Sequence, residues 1–94
     1  MSDPPAGGGP AVVRLVLDLL KPHDPDLVTF TRALTREPGV ASVAATVAET
    51  DREVETVEVV VEGADLDVDA IEARVDDLGG SLHSVDEGVC RDRG

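Results

Sequence analysis

Residues 11–30 read AVVRLVLDLLKPHDPDLVTF, and the hydrophobic period changes within them. Up to residue 20, Val13, Leu15, Leu17 and Leu19 alternate with Arg14, Val16, Asp18 and Leu20. That two-residue period predicts a strand whose first set faces a core. Beyond the turn KPHDP, Leu27, Phe30 and Leu34 recur at helical spacing. Asp24 reads as the N-cap, Pro25 as the first helical residue, and Gly39 as the stop.

The second half of the chain makes the same switch. VASVAATVAET (40–50) predicts a strand with Val43, Ala45 and Val47 on one side, and DRE a turn. VETVEVVVEG (54–63) is its hairpin partner, with Val57, Val59 and Val61 inward. In DVDAIEARVDDLGG (67–80), Asp67 is the expected N-cap, Leu66 and Ile71 form a hydrophobic staple, and Val68, Ile71, Val75 and Leu78 form the buried stripe. Gly79 and Gly80 end this helix, and SLHSVDEGV (81–89) is the last strand. The order β-α-β-β-α-β predicts an α+β ferredoxin-like fold, with a four-stranded antiparallel sheet in the order 4-1-3-2 and both helices on one face. Residues 11–90 are the expected single domain. The Pro/Gly-rich residues 1–10 read as a disordered lead-in and residues 91–94 as a flexible tail.

Composition narrows the classes of function. A chain of 94 residues supports one small core, and with one Phe and no Trp or Tyr that core is aliphatic. Few rings for stacking and a net charge of -12 argue against nucleic acid as a partner. Acidic residues are dispersed over every segment, which reads as a solvated shell suited to a salt-rich cytoplasm. A lone Cys90 makes no internal disulfide and has no evident activator. No apolar run approaches the ~20 residues of a membrane helix, and the first residues lack the basic and apolar regions of a signal peptide, so a cytoplasmic location is expected.

The predicted topology leaves one sheet face uncovered, carrying Val16, Ser42, Ala44, Thr46, Val60 and Val85. These are small and apolar for a solvated face, which points to a homo-oligomer through this face or the edge strands. First and last strands are antiparallel neighbours, so paired residue numbers keep a constant sum. A sum of 101, chosen because opposite charges across strands contribute ~0.2 to 1 kcal/mol each, pairs Arg14 with Glu87, Val16 with Val85 and Asp18 with His83. In that register His23 lies just past the end of the first strand, near the start of the last.

Asp18, His23 and His83 then form a candidate metal site for Zn, Mn, Ni or Fe, with Lys21, Ser84, Asp86 and Glu87 as ligand-binding residues at its edge. The plain reading is one structural hydrogen bond between Asp18 and His83, with His23 capping a turn. Lys21, the only lysine, reads either as a strand-end solubilising charge or as a compact anion contact. Asp65, Asp67 and Asp69 lack the Gly and distant Glu of a calcium loop, so helix capping explains them. No catalytic triad is visible, because His83 and Ser84 are neighbours on a strand and should point to opposite faces.

The elements LDLLKPHDP (17–25) and GGSLHSVDE (79–87) make the chain resemble an archaeal domain-of-unknown-function family, number 211, from about residue 12 to 87. The resemblance implies a ferredoxin-like fold and subunits associated into a ring, and it implies no particular activity. The family's motif positions fall here on Asp18, Lys21, Pro22, His23 and Pro25, and on His83, Ser84, Asp86 and Glu87. The Gly-rich lead-in and the ending GVCRDRG depart from the family pattern. The favoured expectation is a non-enzymatic oligomeric module that binds a divalent metal ion or small anion between the first turn and the last strand. Its rivals are a regulatory, amino-acid-sensing type of domain acting at subunit interfaces, and a small hydrolase or isomerase using His23 and Asp18.

Overall fold

The computed structural model describes residues 10–92. Its elements are β1 (Ala11–Pro22), α1 (Leu27–Thr35), β2 (Val40–Thr50), β3 (Val54–Gly63), α2 (Val68–Asp77) and β4 (Ser81–Arg91). They form one antiparallel sheet in the order β2-β3-β1-β4, the expected ferredoxin-like topology read from its other edge. Most of the expected lead-in, and residues 93 and 94 of the expected tail, lie outside the described residues. Cys90 sits exposed in β4, one residue beyond Val89, where that strand is expected to end.

β1 and β3 are the central strands, and their inward residues alternate as their sequences require. Leu15, Leu17 and Leu19 meet Val61, Val59 and Val57 pair by pair, and all six are buried. Phe30 and Leu34 of α1, Ile71 and Val75 of α2, and Leu66 close the core from the helix side. Val13 does not join them. The β1–β4 register shifts between Val12 and Arg14, so Val12 packs on the core instead and Val13 is the extra residue.

Each helix is bounded by local chemistry. α2 starts as expected, the Asp67 carboxylate accepting the Ala70 N–H at 3.1 Å. It ends in a paired-carbonyl cap: Gly79, at φ +86°, donates to Asp76 O, and Gly80 donates to Val75 O, both at 2.9 Å. α1 begins later than expected. Its N-cap is Asp26, whose Oδ1 accepts the Thr29 N–H at 2.8 Å, and the Asp24–Pro25 peptide is cis. The Asp-Pro-Asp run offers two capping carboxylates, and the pairing of Lys21 and Pro22 with β3 keeps the chain in the sheet long enough to select the second.

The expected β1–β4 register holds only where Leu19 meets Leu82 and Leu20 meets Ser81. Farther along, Asp18 faces Ser84, Leu17 faces Val85 and Val16 faces Glu87, because β4 carries an extra residue at His83 and another at Asp86. Val85 therefore belongs to the helix side of the sheet, opposite Leu17, and not to the open face as expected; it is 49% exposed because this edge strand is incompletely covered.

At the opposite end of the sheet, backbones cross closely. A Cβ on Gly63 would collide with the Gly39 carbonyl and come within 2.8 Å of Leu66 Cδ2, whereas Gly88 has open space around it. Gly63→Ala is expected to destabilise the fold by about 2 kcal/mol or more, and Gly88→Ala to leave that contact network unstrained. Denaturant midpoints of the two variants check this; equal midpoints would contradict the crossing geometry.

Candidate functional site

Alternation along β1 carries one step past the leucines and turns Lys21 inward, in phase with Leu15, Leu17 and Leu19. Its side chain is fully buried, correcting the expectation of a strand-end solubilising charge. The ammonium donates to Pro22 O at 2.8 Å and to Glu55 Oε1 at 3.2 Å, and lies 6.0 Å from the Phe30 ring centroid. Glu55 is its direct cross-strand partner, in phase with Val57, Val59 and Val61. A buried ammonium must be hydrogen-bonded, and here a strand-end carbonyl and a carboxylate satisfy it. The Lys21 hydrogen bond, followed by that of His23, holds the Glu55 carboxyl below its ordinary range.

His23 shares Glu55 from the solvent side. Its Nδ1 is 3.4 Å from Glu55 Oε2, and its Nε2 is 3.0 Å from both Asp51 O and Arg52 O. The ring therefore leans toward β3 and the β2–β3 turn, and among the described residues no hydrogen bond or ion pair joins it to His83 or to the rest of β4. The bland part of the expectation survives in altered form, since His23 does cap a turn, though on another hairpin.

Asp18 and His83 do share a surface. With Leu20 and Thr56 they line a shallow depression of about 210 Å³ on the open face of the sheet. The β4 irregularities build this arrangement. His83 and Ser84 occupy the space opposite a single β1 position, Val85 turns back, and Asp86 and Glu87 follow as a second polar pair. Strict alternation, which would have separated His83 from Ser84, does not apply across such a bulge.

The remaining polar groups here are engaged. Ser84 Oγ donates to Asp86 Oδ1 at 2.7 Å. Arg14 donates to Glu87 and to Glu62, each at 2.7 Å, so the expected Arg14–Glu87 attraction is present as a diagonal contact, with Val89 directly opposite Arg14. Among the described residues, Asp18 and His83 have neither a hydrogen bond nor an ion pair, and no group of three or more His, Cys, Asp and Glu is placed to hold a metal ion. The expected three-residue constellation thus divides into a saturated cluster (Lys21, Glu55, His23) and an unsaturated pair (Asp18, His83).

Glu55 was missed in the sequence, although its signal was present: 55, 57, 59 and 61 share one strand face, as do 15, 17, 19 and 21. Elsewhere, an apolar groove lined by Leu27, Val28, Thr31, Arg32, Thr35 and Ala45 separates α1 from β2, and it contains no acid–base pair. No helix among the described residues is long and apolar enough to cross a membrane.

Comparison with known proteins gives a family and a relative. The family model named DUF211 and described as uncharacterised ArCR matches residues 13–93. An uncharacterised protein of Methanocaldococcus jannaschii, MJ0319, is 45% identical over 76 residues, which cover 81% of this chain and 78% of that protein.

Two expectations follow from the buried pair. Removing the carboxylate leaves Lys21 buried with one acceptor, whereas removing the ammonium leaves a carboxylate that water reaches, so Glu55→Ala should lower the melting temperature more than Lys21→Met; thermal unfolding of both variants decides the order. The sign of the acid dependence follows from the depressed Glu55 pKa. Its contribution is complete above the ordinary value of 4.5 and is lost as pH falls through the lower folded value. Wild type should lose stability on that descent, and Glu55→Gln should lose less over the same pH range.

Proposed function

We propose, from the premise that the chain belongs to the DUF211 family, that it is a non-catalytic module whose copies associate through the open sheet face around a divalent metal ion. The observation that carries this reading is the unsaturated Asp18–His83 pair beside Leu20 and Thr56. Imidazole and carboxylate suit borderline divalent ions such as zinc or manganese. One chain supplies two such ligands, fewer than a protein metal site ordinarily uses, and a second copy would double them.

Electrostatics supports the same combination. The open face sets Asp18, Glu58, Glu62, Asp86 and Glu87 against Arg14, so two bare faces repel each other. Val60 supplies half-buried apolar area between those charges, whereas Val16 is already covered within the single chain. A divalent cation at Asp18 would offset part of that repulsion. The proposed site lies on the sheet face between β1 and β4, without the β1–α1 turn that the sequence reading joins to the last strand.

Light scattering and native mass spectrometry of the purified protein, with elemental analysis, test this. Zinc or manganese should bind and shift the chain to a multimer, a chelator should reverse the shift, and Asp18→Asn or His83→Gln should weaken metal binding by about 100-fold. A monomer with no bound metal under all these conditions, or a multimer indifferent to chelator and to both variants, sinks the proposal.

A further inference from the structure

His23 is surrounded only by acceptors. Nε2 faces two successive carbonyls of the β2–β3 turn, Asp51 O and Arg52 O at 3.0 Å each, and Nδ1 faces the Glu55 carboxylate at 3.4 Å. A neutral imidazole has one N–H and one lone pair, so in this position one ring nitrogen would present its lone pair to an oxygen. An imidazolium donates on both sides. The turn itself is lightly tied: Asp51 N–H donates to Val54 O at 2.8 Å, and the Asp51 carboxylate accepts the Arg52 N–H at 2.6 Å. Arg52 and Glu53 are exposed, so past the Pro22–Val54 pair the ring supplies the side-chain bonds that join the tip of the hairpin to the end of β1.

We propose that His23 is a pH-sensitive clamp: its charged ring donates at once to the tip of the β2–β3 hairpin and to Glu55, and loss of the proton, which leaves one N–H for both sides, weakens its hold on the tip. The charges that surround the ring are accounted for element by element. From β3, Glu55 faces it directly; from β1, Lys21 reaches the same carboxylate from the core side; from the turn, the Asp51 carboxylate is turned to the Arg52 N–H. Asp26, at the start of α1, is stabilised as a carboxylate by its bond from Thr29 and by Lys21, and no hydrogen bond joins it to the ring. The turn carbonyls, Asp51 foremost, together with Glu55 hold the imidazole pKa above its ordinary value of 6.5 against partial desolvation. The sign follows: donation on both sides is complete below that value and is lost as pH rises through the higher folded value, which weakens the clamp.

The released segment borders the open face. A second depression, lined by Leu20, Glu49, Thr50, Asp51, Val54 and Thr56, adjoins the tip and shares Leu20 and Thr56 with the Asp18–His83 depression. Unpinning the tip therefore loosens one wall of that surface. The clamp itself does not depend on whether a metal binds there.

The test is an NMR pH series on the wild-type protein, following the His23 ring signals and the backbone heteronuclear NOE of Arg52 and Glu53 in the same samples. The expected result is an imidazole midpoint above 6.5, with the NOE at both residues high below it and falling with the same midpoint. His23→Gln should abolish the pH dependence of the NOE, and Asp18→Asn should leave it intact, which separates this device from the metal reading. An NOE that stays level through the His23 titration, or a fall that persists with the same midpoint in His23→Gln, overturns the clamp.

Discussion

The structure depends on β1 being hydrogen-bonded along both edges. A strand in that position cannot slide or turn without breaking two ladders, so its alternation dictates what lies on each side of the sheet. Leu15, Leu17 and Leu19 are committed to the helix layer, and Arg14, Val16, Asp18 and Leu20 to the open face. The helices follow from this commitment, because Phe30, Leu34, Ile71 and Val75 are the apolar stripes able to cover that row. The same constraint drives Lys21 inward, although a lysine is costly there.

Lys21 shows how the fold resolves a conflict between pattern and chemistry. Its stem extends the apolar row past Leu19, and its head ends where the sheet is opening to water, with Pro22 O and Glu55 as acceptors. Glu55 then carries a second bond, to His23, which links the buried charge to the surface through a single carboxylate. One side chain thus joins the core, the end of β1 and the tip of the neighbouring hairpin. The three groups form one electrostatic unit, in which the state of the exposed imidazole is felt by a carboxylate already held by a buried cation.

Much of the fold was legible because two periods alternate cleanly in the sequence, with Gly79 and Gly80 and the Asp67 cap marking the limits of α2. The start of α1 was misplaced because Asp24 and Asp26 are equally good caps on sequence grounds, and only the length of the β1–β3 ladder chooses between them. The candidate site was half legible. Asp18 and His83 line one depression, as alternation suggests, but His23 bonds the β2–β3 hairpin, since a loop after a central strand can lean to either side and the pattern within the loop does not say which. A trace of the β4 bulges is visible in HSVDE, where two polar pairs flank one valine. A regular strand would have required one member of each pair to point into the helix layer.

Those bulges have a consequence for the whole open face. A regular edge strand of eleven residues is an exposed ladder prepared to add any passing strand. By inserting His83 and Asp86, β4 loses that flatness and doubles the polar side chains it presents beside β1. The edge is thereby blunted as a template for indiscriminate pairing, and the adjoining face gains His83, Ser84, Asp86 and Glu87 in place of two of them. Three of these are already engaged, by one another or by Arg14, which leaves His83 next to Asp18 as the position where the extra residue has no structural bond to account for it. It is on this pair, an imidazole and a carboxylate side by side on the sheet face, that the proposed metal site rests.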